Sequence, residues 1–234
     1  MKGKLIIILS VLIYSVQAQF INIEGLAIKS AGYNFPHTFP ELYYEIHIAE
    51  INKTTQLNLF YDENVQAYID LFLSERFEDI ILFIDRSEEY FPMFEKYLLE
   101  YKLPEEMKFL AVLESGLMPT AISPSQAVGL WQFKERTGTA FGLTINGVQD
   151  DRNDPVLSTI AACKYLNKLN AEFKNWNTTL LAYNAGPTYL RQQLKLANIQ
   201  NYHHIYPHIT EPAQKYLPAL VAIIYLFNNL ENHF

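Results

Sequence analysis

The chain has 234 residues, half of them hydrophobic, with 25 acidic against 18 basic residues and a formal net charge of −7. That length and apolar content support one well-packed domain with room for a smaller appendage. An acidic surface argues against nucleic-acid binding, which depends on basic patches, and a single cysteine, Cys163, rules out an internal disulfide framework.

In chain order, residues 1–19 read as a signal peptide. Lys2 and Lys4 precede the apolar run Leu5 to Val16, and Val16-Gln17-Ala18 before Gln19 reads as a signal-peptidase site. The run is short of a full bilayer span, so a transmembrane anchor is the weaker reading. Losing Lys2 and Lys4 leaves 16 basic against 25 acidic residues, a net of −9 for an exported mature chain. Residues 20 to about 60 mix Pro, Gly, Asn and aromatics without periodicity and predict loop and short helix.

From Glu63 the spacing becomes helical. Val65, Tyr68, Ile69 and Phe72 form one stripe, and Phe77, Ile80, Ile81 and Ile84 the next. A third helix is expected after Pro92, from Phe94 to Leu99. Leu103-Pro104-Glu105-Glu106 opens a fourth, with proline in the first turn and acids that suit the amide dipoles. Residues 115–148 hold most of the glycines and predict an irregular excursion. Asp154-Pro155 caps and starts a helix that packs Ile160, Ala161, Tyr165, Leu166 and Leu169 inward. Asn177 or Thr178 caps a short helix through Tyr183, Gly186-Pro187 breaks it and starts another, and Glu211-Pro212 opens a final apolar helix through Phe227. With no strand signal of comparable strength and no internal repeat, the fold class is all-α. The expected division is a signal peptide over 1–19, a helical and irregular extension over 20–100 and a catalytic domain over 101–234.

Polar groups inside apolar surroundings mark three stretches. Met107, Leu110 and Ala111 form a stripe whose next member is Glu114, just before Ser115 and Gly116. Burial and the negative helix end both disfavour its ionised form, so its pKa should rise and fit it for acid catalysis. The other reading turns Glu114 to solvent at a helix end. Gln132 lies within Ala127-Val128-Gly129-Leu130-Trp131-Gln132-Phe133, and Tyr183 and Asn184 lie within Leu181-Ala182-Tyr183-Asn184-Ala185-Gly186-Pro187. An amide or phenol in such company needs a partner. A sugar could supply one, and so could a helix end capped by Gln132 or Asn184. Cys163 reads as a small buried hydrophobe and His203-His204 as surface histidines, with no metal-ligand spacing. Asn52-Lys53-Thr54 and Asn177-Thr178-Thr179 match glycosylation sequons, a pattern common by chance.

Together and in this order, Glu114-Ser115, Gly129-Leu130-Trp131-Gln132 and Ala182-Tyr183-Asn184-Ala185-Gly186 resemble the lytic transglycosylase catalytic domain, of lysozyme-like goose-type fold. Trp131 before Gln132, Asp151-Arg152-x-Asp154-Pro155, Arg86-Ser87 through Tyr90-Phe91-Pro92, Leu103-Pro104, and Glu211-Pro212-x-x-x-Tyr216-x-Pro218 look most like the membrane-bound murein transglycosylase D type. The resemblance covers roughly residues 60–230. The lead-in Ile205 to Thr210 departs from that group's usual closing motif. The repeats that often follow the catalytic domain there are not read before Phe234, so wall tethering through them is not expected.

The resemblance implies a peptidoglycan lyase in the periplasm or cell envelope of a bacterium, without cofactor or metal. Glu114 would be the sole acid and base. It would protonate the oxygen between N-acetylmuramic acid and N-acetylglucosamine, and then take the proton of the muramic C6 hydroxyl as a 1,6-anhydro ring closes. Gln132 and Tyr183 would contact the sugar, with Ser115 and Asn184 supporting the site and Tyr216 on its far wall. Peptidoglycan strands would be the partner, and cell-envelope proteins and oligomeric state are left open. Two other readings stand beside it: a goose-type hydrolase using Asp150, Asp151 or Asp154 to activate water, and a non-catalytic peptidoglycan-binding scaffold.

Overall fold

The structure, a computed structural model, describes residues 39–197 and 205–233. The expected signal peptide over 1–19, residues 20–38 and His203-His204 lie outside the described residues.

The helices form where an apolar stripe can be covered. α1 (Glu41–Ile51) buries Tyr44 and Ile48. α2 (Glu63–Ser74) starts at Asp62, whose carboxylate accepts from the Asn64 and Val65 amides, and it buries Val65, Ile69, Phe72 and Leu73. α3 (Phe77–Glu100) is one helix where the sequence predicts two. Pro92 removes one hydrogen bond, but Pro92 and Glu88, whose carbonyl loses it, are both exposed, so water can replace the bond. The stripe Ile80, Phe83, Ser87, Tyr90, Phe94 and Leu98 runs through in register, and burying it outweighs the lost bond.

A 3-10 turn, Glu105–Met107, leads from Pro104 into α4 (Lys108–Ser115), which Gly116 closes in the left-handed region. α5 (Glu135–Ala140) interrupts the long excursion that follows. α6 (Pro155–Phe173) starts as expected, with the Asp154 side chain accepting from the Val156 and Leu157 amides. α7 (Trp176–Ala185) is capped by Asn175 rather than by Asn177 or Thr178. Asn177 is buried inside the helix and donates to the Asn58 carbonyl at 3.1 Å, while Asn52 clamps the Leu59 backbone in both directions at 2.8 and 2.9 Å. Both sequon asparagines thus hold segment 52–61 against its neighbours.

α8 (Pro187–Ala197) and α9 (Glu211–Asn229) complete the described helices. Every residue from Tyr216 to Leu226 in α9 is buried, as expected of a helix covered on all sides. It packs against α1, α2, α4 and α7, while α6 lies against α3 and α7. The described residues contain no strand, only isolated bridges, and the fold is all-α. Cys163 is fully buried in α6, and burial pushes its thiol up to about 12, so it stays protonated and inert. No helix among the described residues is long and apolar enough to cross a membrane.

Candidate active site

α4 ends at the wall of a cleft of about 340 Å³, and the local sequence dictates how it ends. Gly116 has φ +58°, and a Cβ there would meet the Phe83 ring of α3 at 2.7 Å. Arg86, one turn further along α3, donates to the Gly116 carbonyl at 2.7 Å. The preceding turn is thereby fixed, and its Glu114 lines the cleft.

Glu114 Oε1 accepts a hydrogen bond from the Tyr216 hydroxyl at 2.7 Å. Burial raises the carboxyl from 4.5 to about 7, against the opposing pull of the Tyr216 bond. Burial and the nearby Glu114 charge also push the Tyr216 and Tyr183 phenols well above 10, so both remain donors. Tyr183 donates to the Trp131 carbonyl at 2.7 Å. The expected acid therefore stands beside two protonated phenols, half-buried, rather than in bulk water.

Gln132 has φ +50°, and its side-chain amide donates to the carbonyls of Gly129 at 2.9 Å and Ala121 at 3.2 Å. Both amide hydrogens are used, so Oε1 is the atom left for a ligand, as an acceptor of a hydroxyl or N–H. The loop holding Gln132 is braced from beneath. Trp131 Nε1 donates to Thr159 Oγ1 of α6 at 2.9 Å, and the indole packs on Phe94. Gly129 has φ +85°, and a Cβ there would fall 1.9 Å from the Arg152 carbonyl. The Arg152 guanidinium pairs with Asp150 at 2.6 Å and donates to the Phe133 and Gln126 carbonyls.

Glu114, Gln132, Tyr183, Asn184 and Tyr216 all line the cleft, with Asn184 exposed at its edge. Ser115 is not among the lining residues. It is 3 % exposed, and its hydroxyl lies against the carbonyls of Ala111 at 2.9 Å and Leu130 at 3.0 Å. It joins α4 to the Gln132 loop and has no surface for a sugar. Sequence reasoning missed Tyr68, Tyr165, Ser123, Lys134, Thr137 and Lys215 in the lining. Tyr68 and Tyr165 fell on apolar stripes and passed for core, although both are only half-buried.

The three aspartates considered as a second carboxylate do other work. Asp150 pairs with Arg152, which lowers its pKa. Asp151 accepts from Gln149 Nε2 and the Thr144 amide, which lowers its pKa. Asp154 caps α6. Among the described residues Glu114 is the only carboxylate lining the cleft.

Residues 92–206 match the family model described as the transglycosylase SLT domain. The chain is 28 % identical over 151 residues to membrane-bound lytic murein transglycosylase D of Escherichia coli, covering 63 % of this chain and 33 % of that protein. It thus spans about a third of that relative's length. It is 38 % identical over 82 residues to the peptidoglycan transglycosylase gp16 of Escherichia phage T7, covering 34 % of this chain and 6 % of that one. Among solved structures, the 70 kDa soluble lytic transglycosylase of Escherichia coli superposes with a TM-score of 0.52 at 23 % identity, over 70 % of this chain and 27 % of that one. That likeness gives the fold as lysozyme-like.

Proposed function

Since the chain belongs to the transglycosylase SLT domain family through residues 92–206, we propose that it is a lytic murein transglycosylase cleaving the β-1,4 bond between N-acetylmuramic acid and N-acetylglucosamine. One observation carries the reading: the one cleft carboxylate among the described residues, raised to about 7, beside two donor phenols. Such a group is protonated in a large fraction of molecules near neutral pH, which suits a general acid.

In the reaction, the Glu114 proton passes to the glycosidic oxygen as the bond to the muramic anomeric carbon breaks and the N-acetylglucosamine hydroxyl departs. The Glu114 carboxylate, now holding the Tyr216 hydrogen bond as a charged acceptor, takes the proton of the muramic C6 hydroxyl. That oxygen closes on the anomeric carbon to give a 1,6-anhydro ring, and Glu114 is protonated again. No water is consumed and no second carboxylate is needed, whereas hydrolysis by the usual carboxylate pair requires one. Asp150, Asp151 and Asp154 are engaged elsewhere, which weighs against the hydrolase reading. Gln132 Oε1 accepts from the sugar at the cleavage site, and Tyr183, Tyr216 and Asn184 shape the walls around it. Ser115 acts from behind, by tying the Glu114 turn to the Gln132 loop. The enzyme works in a bacterial cell envelope, reached by the leader read over residues 1–19.

Mass spectrometry of products from purified murein tests this directly. Anhydro ends, lighter than hydrolysed ends by one water, are expected from the wild type and none from Glu114→Gln. Reducing ends from the wild type, or undiminished cleavage by the variant, would overturn the assignment.

A further inference from the structure

α4 ends in a backbone conformation that its own residues do not favour. Gly116 and Leu117 both lie in the left-handed region, at φ +58° and +60°. The second is a leucine, 1 % exposed, for which that region is sterically costly. Such a pair persists only where the surrounding structure holds it.

The peptide group joining the two residues is held at both edges. Its N–H, from Leu117, donates to the Ala111 carbonyl at 3.3 Å, within the closing turn of α4 itself. Its carbonyl, from Gly116, accepts from Arg86 Nη1 at 2.7 Å. Only the second hold comes from outside α4, and it is both the shorter and the charge-assisted one. Arg86 is half-buried, and burial works against its charge, while Tyr90, Asp85 and Asp79 act the other way. It nevertheless makes no ion pair among the described residues, and Asp79 is engaged by Arg76. A guanidinium withdrawn from water without a carboxylate partner is unfavourable by itself. The acceptor it has instead is a backbone carbonyl two residues beyond Glu114.

We propose that Arg86 is a positioning residue for Glu114: by locking the peptide between Gly116 and Leu117 it keeps the last turn of α4 wound and the carboxyl at the cleft wall. Ser115 ties the same turn to the Gln132 loop through the Leu130 carbonyl, so the acid is anchored from two sides. Arg86 precedes residues 92–206, which match the family model, and the second anchor is therefore supplied from in front of that domain. The kinetic consequence rests on the transglycosylase reading, whereas the placement of the carboxyl does not.

The test compares the wild type with Arg86→Gln and Arg86→Lys. On purified murein strands Arg86→Gln should lose about 100-fold in kcat, as a displaced catalytic group does, with KM within about twofold because Gln132, Tyr183 and Tyr216 are untouched. Arg86→Lys keeps the charge and one donor on a shorter stem and should lose only about tenfold. Loosening the turn admits water to the carboxyl, so the midpoint of the Arg86→Gln pH–rate profile should fall below the wild-type value near 7. Wild-type kcat in Arg86→Gln, or a loss confined to KM with the midpoint unmoved, overturns the positioning role. If Arg86→Gln does not fold, wild-type kcat in Arg86→Lys overturns it alone. A wild type that cleaves no murein removes the transglycosylase reading, and urea unfolding then tests the brace. The wild-type urea midpoint should fall between about pH 4 and pH 8, and that of Arg86→Gln should fall less, its carboxyl being hydrated. An equal fall in both would show that Arg86 does not place Glu114.

Discussion

At Glu114 two influences oppose each other over one proton. Burial raises the carboxyl and the Tyr216 hydroxyl lowers it, and burial prevails, at about 7. A carboxyl raised in the fold binds its proton more tightly there than in the unfolded chain. Stability therefore falls as pH rises from the unfolded value near 4.5 to about 7, and is level beyond. Glu114→Gln mimics the neutral form and can still accept from Tyr216. Urea unfolding should find the variant equal to the wild type at pH 4 and about 2 kcal/mol more stable at pH 8, after discounting for the cleft's solvent. The same proton predicts that wild-type kcat/KM declines above a midpoint near pH 7. Tyr216→Phe removes the donor that favours the ionised form, so that midpoint should move to higher pH, as a pH–rate profile of the variant would record. Glu114 was legible because a carboxylate on an apolar stripe stands out locally. Ser115 was not, because its role depends on the Leu130 carbonyl, 15 residues away. Nor was the Tyr183 hydrogen bond, which reaches 52 residues back to Trp131.

Helix starts were readable where two adjacent residues supply the cap and the first turn, as at Asp154-Pro155. Pro92 misled because local chemistry favours a break there, while the stripe that overrides it is visible only once α2, α4 and α6 cover α3. The excursion from Gly116 to Asp150 was recognisable as irregular, but its shape follows from contacts distant in sequence. Gly129 is required by the Arg152 carbonyl, and Arg152 in turn holds the Phe133 and Gln126 carbonyls. Gly129→Ala places a methyl where backbone already lies, at a φ that L residues avoid, and should destabilise by about 3 kcal/mol or more. Arg152→Met removes the guanidinium that pairs with Asp150 and ties down the Phe133 and Gln126 carbonyls, leaving Phe133 only the Val128 amide and Asp150 only the backbone amide of residue 152, and about 1–3 kcal/mol should be lost. Thermal unfolding reads both, and a fall in Tm of less than a few degrees for either would show that the loop is not held this way.

The division expected from sequence places residues 20–100 outside the catalytic domain, yet packing makes part of that stretch structural for the site. α9 carries Tyr216 to Glu114 on one turn, and along its length it is covered by α1 and α2 as well as by α4 and α7. α2 contributes Val65, Ile69 and Phe72 to the buried core and Tyr68 to the cleft lining, while α3 covers α6 and supplies the Arg86 brace. A chain of residues 101–234 would leave one flank of the buried stretch Tyr216 to Leu226 in water. Losing the burial that Val65, Ile69 and Phe72 alone contribute forfeits about 5–8 kcal/mol of transfer free energy, comparable with the net stability of a domain. The 101–234 fragment should therefore bind a hydrophobic dye and melt without a cooperative transition, whereas residues 39–234 should unfold in a single step. If the shorter fragment instead gave a sharp calorimetric transition and cleaved murein, α2 and α3 would be accessories to the core rather than part of it.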